Sequence, residues 1–153
     1  MNRKPIRVLV ADDSTTLRTA LCALLSEDPH ISIVGQAADG MEAVEKARAL
    51  RPDVITMDVN MPRLDGLGAT AAIMADAPAR VLVISSVRQH RQLELSFKAM
   101  AAGALELIAK PEGGPEEMRR WARRVAESVR PMAEVPVVRR HRRSQTPPRP
   151  AVV

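Results

Sequence analysis

Five short apolar runs, each followed by a longer segment of helical period, set the narrowest limit on how this 153-residue chain can fold. The runs are Ile6–Ala11, Ile31–Val34, Val54–Met57, Val81–Ile84 and Leu105–Ala109. Most lack polar alternation, as strands covered on both faces do. Between them lie helical stripes. Leu17, Leu21, Leu24 and Leu25 form one. Ala43, Ala47 and Leu50 form a second, preceded by Asp39 and Glu42 at capping-box spacing. Leu67, Ala71 and Met74 form a third, and Leu93, Phe97, Met100 and Ala101 a fourth. Met118, Ala122, Val125 and Val129 form the last, opened by Pro115, Glu116 and Glu117, which favour a helix start. The order is (βα)5, which predicts an α/β fold with a parallel sheet and helices on both faces.

With one Trp, one Phe and no Tyr, the core has to be built from Val, Leu, Ile, Met and Ala. Trp121 falls off the main stripe of the last helix and is expected to be partly exposed. His30, His90 and His141 are too scattered to form a metal site. A single cysteine, Cys22, excludes an internal disulfide and agrees with a reducing, cytoplasmic setting. No segment reaches the roughly 18 consecutive apolar residues of a membrane span, so no membrane insertion is expected. The first apolar run ends at Asp12–Asp13, which argues against a signal peptide.

Charge divides the chain. Residues 1–118 carry 13 Lys and Arg against 16 Asp and Glu, a balance of −3. Residues 119–153 carry 10 Arg against two acids, a balance of +8. The periodic pattern stops near Pro131, and 131–153 holds five prolines and the cluster Arg139–Arg143. The organisation expected is therefore a domain over 1–130 and a basic, proline-rich flexible linker or tail over 131–153. Three readings of the tail stay open: a solvated linker, nonspecific contact with nucleic-acid phosphates, or docking on an acidic protein. No aromatic residue or helix-turn-helix pattern follows residue 130, so specific DNA readout is not expected.

In an open parallel sheet, the loops after the strands converge on one crevice. Here the strand ends deliver Asp12–Asp13, Asp58, Ser85–Ser86 and Lys110 before Pro111. Crowded carboxylates repel unless a cation sits among them, and hard oxygen ligands with room for water suit Mg²⁺. A phosphoryl group needs an oxygen nucleophile and neutralisation of its equatorial oxygens, which Asp58, the cation and Lys110 can supply. Plainer roles stand beside these: Asp12–Asp13 as helix caps, Ser85 and Ser86 as loop residues, Lys110 as a solvated turn lysine.

The segments Val-Ala-Asp-Asp-Ser (10–14), Met-Asp-Val-Asn-Met-Pro (57–62), Asp65–Gly66, Ile-Ser-Ser (84–86) and Ala-Lys-Pro (109–111) together resemble the response-regulator receiver family over about residues 5–130. The resemblance implies a flavodoxin-like, doubly wound five-stranded parallel sheet of strand order 2-1-3-4-5. It implies Asp58 as phosphoryl acceptor and Mg²⁺ held by Asp13, Asp58 and the main-chain carbonyl of Asn60, with Asp12 acting through water. Lys110 and Ser85 would meet phosphoryl oxygens. The phosphodonor partner it implies is a sensor histidine kinase, and the output an effector protein or domain.

Met-Pro-Arg-Leu-Asp-Gly-Leu (61–67), Val-Ile-Ser-Ser-Val (83–87) and Ala-Gly-Ala-Leu-Glu (102–106) resemble more closely the regulatory half of chemotaxis protein-glutamate methylesterases. In that family a linker and a serine-hydrolase domain follow the receiver. No Gly-x-Ser-x-Gly elbow occurs here, so the esterase reaction is not assigned to these residues, and only Mg²⁺-dependent self-phosphorylation and self-dephosphorylation are expected. Receivers usually carry an aromatic switch residue three positions before the lysine; here it is Leu107. The alternative to a phosphorylation switch is a receiver-like binding module acting through its basic tail.

Overall fold

The structure, a computed structural model, describes residues 4–86, 88 and 93–137. Strands β1 (Ile6–Ala11), β2 (Ile31–Ala37), β3 (Val54–Asp58), β4 (Arg80–Ser85) and β5 (Glu106–Ala109) alternate with five helices. These are α1 (Thr15–Leu25), α2 (Gly40–Leu50), α3 (Gly66–Asp76), α4 (Leu93–Ala102) and α5 (Pro115–Met132). The strands form one sheet of order β2-β1-β3-β4-β5, and every neighbouring pair is parallel. The expected strand order is thus the observed one.

Alternate residues of each central strand feed two cores. Val8, Val10, Val54, Leu82 and Ile84 point to the α1 and α5 side, where they meet Leu21, Leu25, Val125 and Val129. Leu9, Ile55, Met57, Val81 and Val83 point the other way, onto α2, α3 and α4. That second layer is rich in alanine, with Ala43, Ala47, Ala69 and Ala99 all at most 1% exposed. Small side chains let helices sit close to the sheet in a protein almost without aromatics.

β2 runs on to Ala37, past the apolar run that predicted it, because Gly35 and Gln36 still pair with Leu9 and Val10. The register shifts between Val8 and Leu9, leaving Val34 out of the pairing. α5 reaches Met132, two residues beyond the expected domain end. Pro131 is tolerated in the last turn, where its missing N–H forfeits one bond, and Met132 is buried against the α1–α5 core. Arg80 Nε donates to the Val135 carbonyl at 2.6 Å, so the chain as far as Val135 lies against the start of β4. The cluster Arg139–Arg143 and the rest of the expected tail lie outside the described residues.

Two expectations need correction. Trp121 is 6% exposed and sits in the α1–α5 core. It lies three residues after Met118 and four before Val125, which is itself a helical repeat, so it widens the stripe. The stripe expected on α4 also faces the wrong way: Phe97 is 69% exposed and Met100 53%, whereas Leu95 and Ala99 are buried. Leu95, Ala99 and Ala102 share the spacing of Leu93, Phe97 and Met100. Period alone does not distinguish the two faces, and the close packing of α4 on α3 and β5 selects the one with the smaller residues. A lesser shift occurs on α3, where Ala71 is exposed and Ala69, Thr70 and Ile73 turn inward.

These faces make a stability prediction. Leu95→Ala is expected to cost about 2–4 kcal/mol by removing buried methyl groups. Phe97→Ala is expected to fall within about 0.5 kcal/mol of the parent, as substitutions at exposed sites do. Urea unfolding of the two variants tests the assignment; equal losses would restore the original stripe.

Candidate functional site

The sheet's carboxyl edge gathers the predicted polar residues. Asp12 follows β1 and is 3% exposed; Asp58 closes β3 at 1%. Asp12, Asp13 and Asp58 each offer a carboxylate oxygen, and the three atoms lie within 4.8 Å of one another. Lys110, just past β5, brings its ammonium 3.1 Å from Asp58 Oδ2. Its side chain is 26% exposed, so the ammonium reaches inward from the rim and is no free turn lysine. Ser85, the last residue of β4, is fully buried and its Oγ has no hydrogen-bond partner. Neither Asp58 oxygen accepts a hydrogen bond either, despite the nearby ammonium. Asn60 is exposed in the β3–α3 loop. The structure thus unites the three aspartates and Lys110, and places Ser85 and Asn60 at the adjoining strand ends.

Local bonds explain why these side chains face the crevice. Ser14, not an aspartate, caps α1, accepting from the Leu17 N–H at 3.2 Å. Asp12 Oδ1 accepts from the Ser14 N–H at 2.8 Å, and Asp13 is left exposed beside it. The Asp12 N–H donates to the Ala37 carbonyl at the end of β2. Arg18 Nη1 donates to the Asp12 carbonyl at 2.6 Å, a tie that sequence reasoning missed because Arg18 lies outside the apolar stripe. Behind Asp58 the backbone is closed: a Cβ on Gly66 would lie 2.0 Å from the Asp58 carbonyl oxygen. The Gly66 N–H donates to the Val59 carbonyl at 2.8 Å, and Asp65 caps α3 through the Gly68 N–H at 2.7 Å. The Asp65–Gly66 pair is therefore a cap followed by a close-contact glycine.

Burial, and after it the Asp12 charge, pushes the Asp58 carboxyl up to about 7, with Lys110 opposing the rise. Asp12 is also raised, first by burial, against the Ser14 N–H bond and the Lys110 charge. Two buried acids that resist ionisation, two unsatisfied oxygens and an all-oxygen donor set form a place where a hard divalent cation fits. Among the described residues this is the cluster of acidic or imidazole groups spaced to hold a metal. His30 lies apart from it and exposed, and His90 and His141 fall outside the described residues.

Residues 8–122 match the family model described as response regulator receiver domain. The chain belongs to the response regulator receiver family. It is 57% identical over 149 residues to protein-glutamate methylesterase/protein-glutamine glutaminase 3 of Myxococcus xanthus, an alignment covering 97% of this chain and 42% of that protein. The receiver thus corresponds to about two fifths of such a relative. The response regulator domain of Thermotoga maritima CheB superposes with a TM-score of 0.80 at 41% identity, covering 87% of this chain and 99% of the other. CheY6 of R. sphaeroides, solved in complex with the P1 domain of CheA3, superposes at 0.71 with 26% identity, covering 87% of this receiver and all of that chain. Among the described residues, no helix is long and apolar enough to cross a membrane.

The raised Asp58 carboxyl gives a pH prediction for the metal-free receiver. Its unfolded value is near 3.9, so the folded state gains while the group is protonated. That stability is present below about pH 4 and is lost as pH rises through the folded value of about 7. Thermal midpoints should fall more steeply over this window for the parent than for Asp58→Asn, and added divalent cation should restore the parent at neutral pH. Parallel profiles for parent and variant would contradict the assignment.

Proposed function

We propose that this receiver accepts a phosphoryl group on Asp58 from a histidine kinase, in a chemotaxis-type two-component pathway, and that the acyl phosphate is its signalling state. The observation that carries the reading is the Asp58 carboxylate. It is 1% exposed, flanked by Asp12 and Asp13, and its ion-pair partner among the described residues is the Lys110 ammonium, 3.1 Å from Oδ2. Burial of a carboxylate beside two others is costly, and a cation or a phosphoryl group at this place would offset that cost.

Asp13, Asp58 and the main-chain carbonyl of Asn60 would hold Mg²⁺, with Asp12 acting through water. The cation supplies positive charge that keeps Asp58 ionised and offsets charge gathering on the phosphoryl oxygens. One Asp58 oxygen attacks phosphorus as the bond to the donor's nitrogen breaks, and the donor leaves with its electron pair. Lys110 carries fixed positive charge to a phosphoryl oxygen from the opposite rim, and the Ser85 hydroxyl donates to another. Because Ser85 starts buried and unpartnered, that bond is one it gains only in the phosphorylated state. Leu107 is partly buried against the α2–α4 core and has no polar atom, so Ser85 is the side chain left to sense the phosphoryl group.

The relatives named as methylesterases and the CheY6–CheA3 complex support the pathway and the kind of donor. A cytoplasmic place agrees with both.

Incubation of the chain with Mg²⁺ and acetyl phosphate is expected to add one phosphoryl group, read by intact mass, and chelation should abolish the gain. Asp58→Asn should remain unmodified, and Lys110→Ala should be labelled about a hundredfold more slowly, the scale for losing one charge-stabilising donor. Labelling of Asp58→Asn equal to the parent would refute the reading. Partner binding indifferent to phosphorylation but lost on removing 138–153 would favour the tail-driven module instead.

A further inference from the structure

Most ion pairs among the described residues join neighbours on one helix or lie far from the acidic pocket. One joins two of the loops that border it. Arg63, in the β3–α3 loop, donates from Nε and Nη2 to the two carboxylate oxygens of Asp39, each at 3.1 Å, across 24 residues. Asp39 is meanwhile the cap of α2, accepting from the Glu42 N–H at 2.8 Å. Beside this fork the backbones touch: a Cβ on Gly40 would lie 1.9 Å from the Leu64 carbonyl oxygen. Arg63 also has φ +68°, a left-handed conformation that residues with a Cβ adopt uncommonly and at a cost.

We propose that Arg63 and Asp39 are positioning residues, a clamp that fixes loop 59–65 so that Asp58 and the Asn60 carbonyl are set for the cation in advance. The loop is pinned at its far end by Gly66, whose N–H holds the Val59 carbonyl. Without a second anchor, the left-handed turn at Arg63 would relax and Asn60 would move with it. Asp39 is a firm anchor because β2, two residues earlier, is itself bonded to Asp12. The clamp therefore ties the metal-bearing loop to the strand end that carries the other acids. This inference rests on the metal-dependent reading of the site given above.

The test uses the full chain with Arg63→Asn, Asp39→Asn and the double variant. Asn tolerates the left-handed turn yet cannot reach Asp39, and Asn at position 39 still caps α2 while losing the charge. Amide hydrogen exchange at Leu64 and Gly66 in metal-free protein should quicken in both single variants. Mg²⁺ affinity by calorimetry should fall about threefold to fivefold in each, the range for a well-formed exposed pair. The double variant should lose no more than either single one, Arg63→Lys should recover part of the loss, and high salt should narrow the gap. Unchanged exchange and affinity, a double loss equal to the product of the single losses, or a shift in thermal midpoint alone would overturn the clamp. If the parent neither binds Mg²⁺ nor accepts a phosphoryl group, the functional reading fails instead, and amide exchange still decides whether Arg63 and Asp39 hold the loop.

Discussion

The mutual repulsion of Asp12, Asp13 and Asp58 is the constraint around which the rest of the receiver is arranged. Three carboxylates within one small volume are unfavourable unless positive charge is brought to them, and burial deepens the penalty. The sheet solves the placement problem by topology. Parallel strands end at one edge, so residues separated by nearly fifty positions arrive side by side. Lys110 completes the set from β5, at the sheet's outer edge.

That arrangement asks for rigidity behind it. Gly66 has no room for a side chain against the Asp58 carbonyl, and Gly40 has none against Leu64. Caps at Ser14, Asp39 and Asp65 fix where α1, α2 and α3 begin, each at the first turn after a strand end that borders the pocket. The two cores on either side of the sheet hold these strand ends in register, and the start of α2 sits close enough to the loop before α3 for Gly40 to meet the Leu64 backbone. Local capping and long-range packing thus serve the same few carboxylates.

Much of this was legible in the residues. The strand runs, their order and the polar residue at each strand end follow from hydrophobic pattern and connection rules, which act through nearest neighbours and sheet geometry. The family motifs add the strand order. What stayed hidden is of a different kind. On α4 two faces share one period, and only the fit against α3 and β5 selects Leu95 and Ala99 over Phe97 and Met100. Trp121 looked peripheral because a narrow stripe was drawn, whereas a helix packed against both α1 and the sheet buries a broader one. Arg18 on the Asp12 carbonyl and Arg63 on Asp39 are tertiary contacts of polar side chains, which carry no periodic signal at all.

The course of α5 has a consequence for how anything beyond it is attached. The helix begins beside the acidic edge, runs back along the sheet, and delivers Val135 to Arg80 at the opposite end of β4. With about 3.3 Å of rise per residue, the six residues of β4 put roughly 17 Å between that exit and Ser85. The last described residues therefore lie at the pole opposite the acidic edge. Any change at Asp58 has to cross the length of the sheet before it reaches Val135. The receiver is in this sense built like a lever whose handle and point of attachment lie at opposite ends.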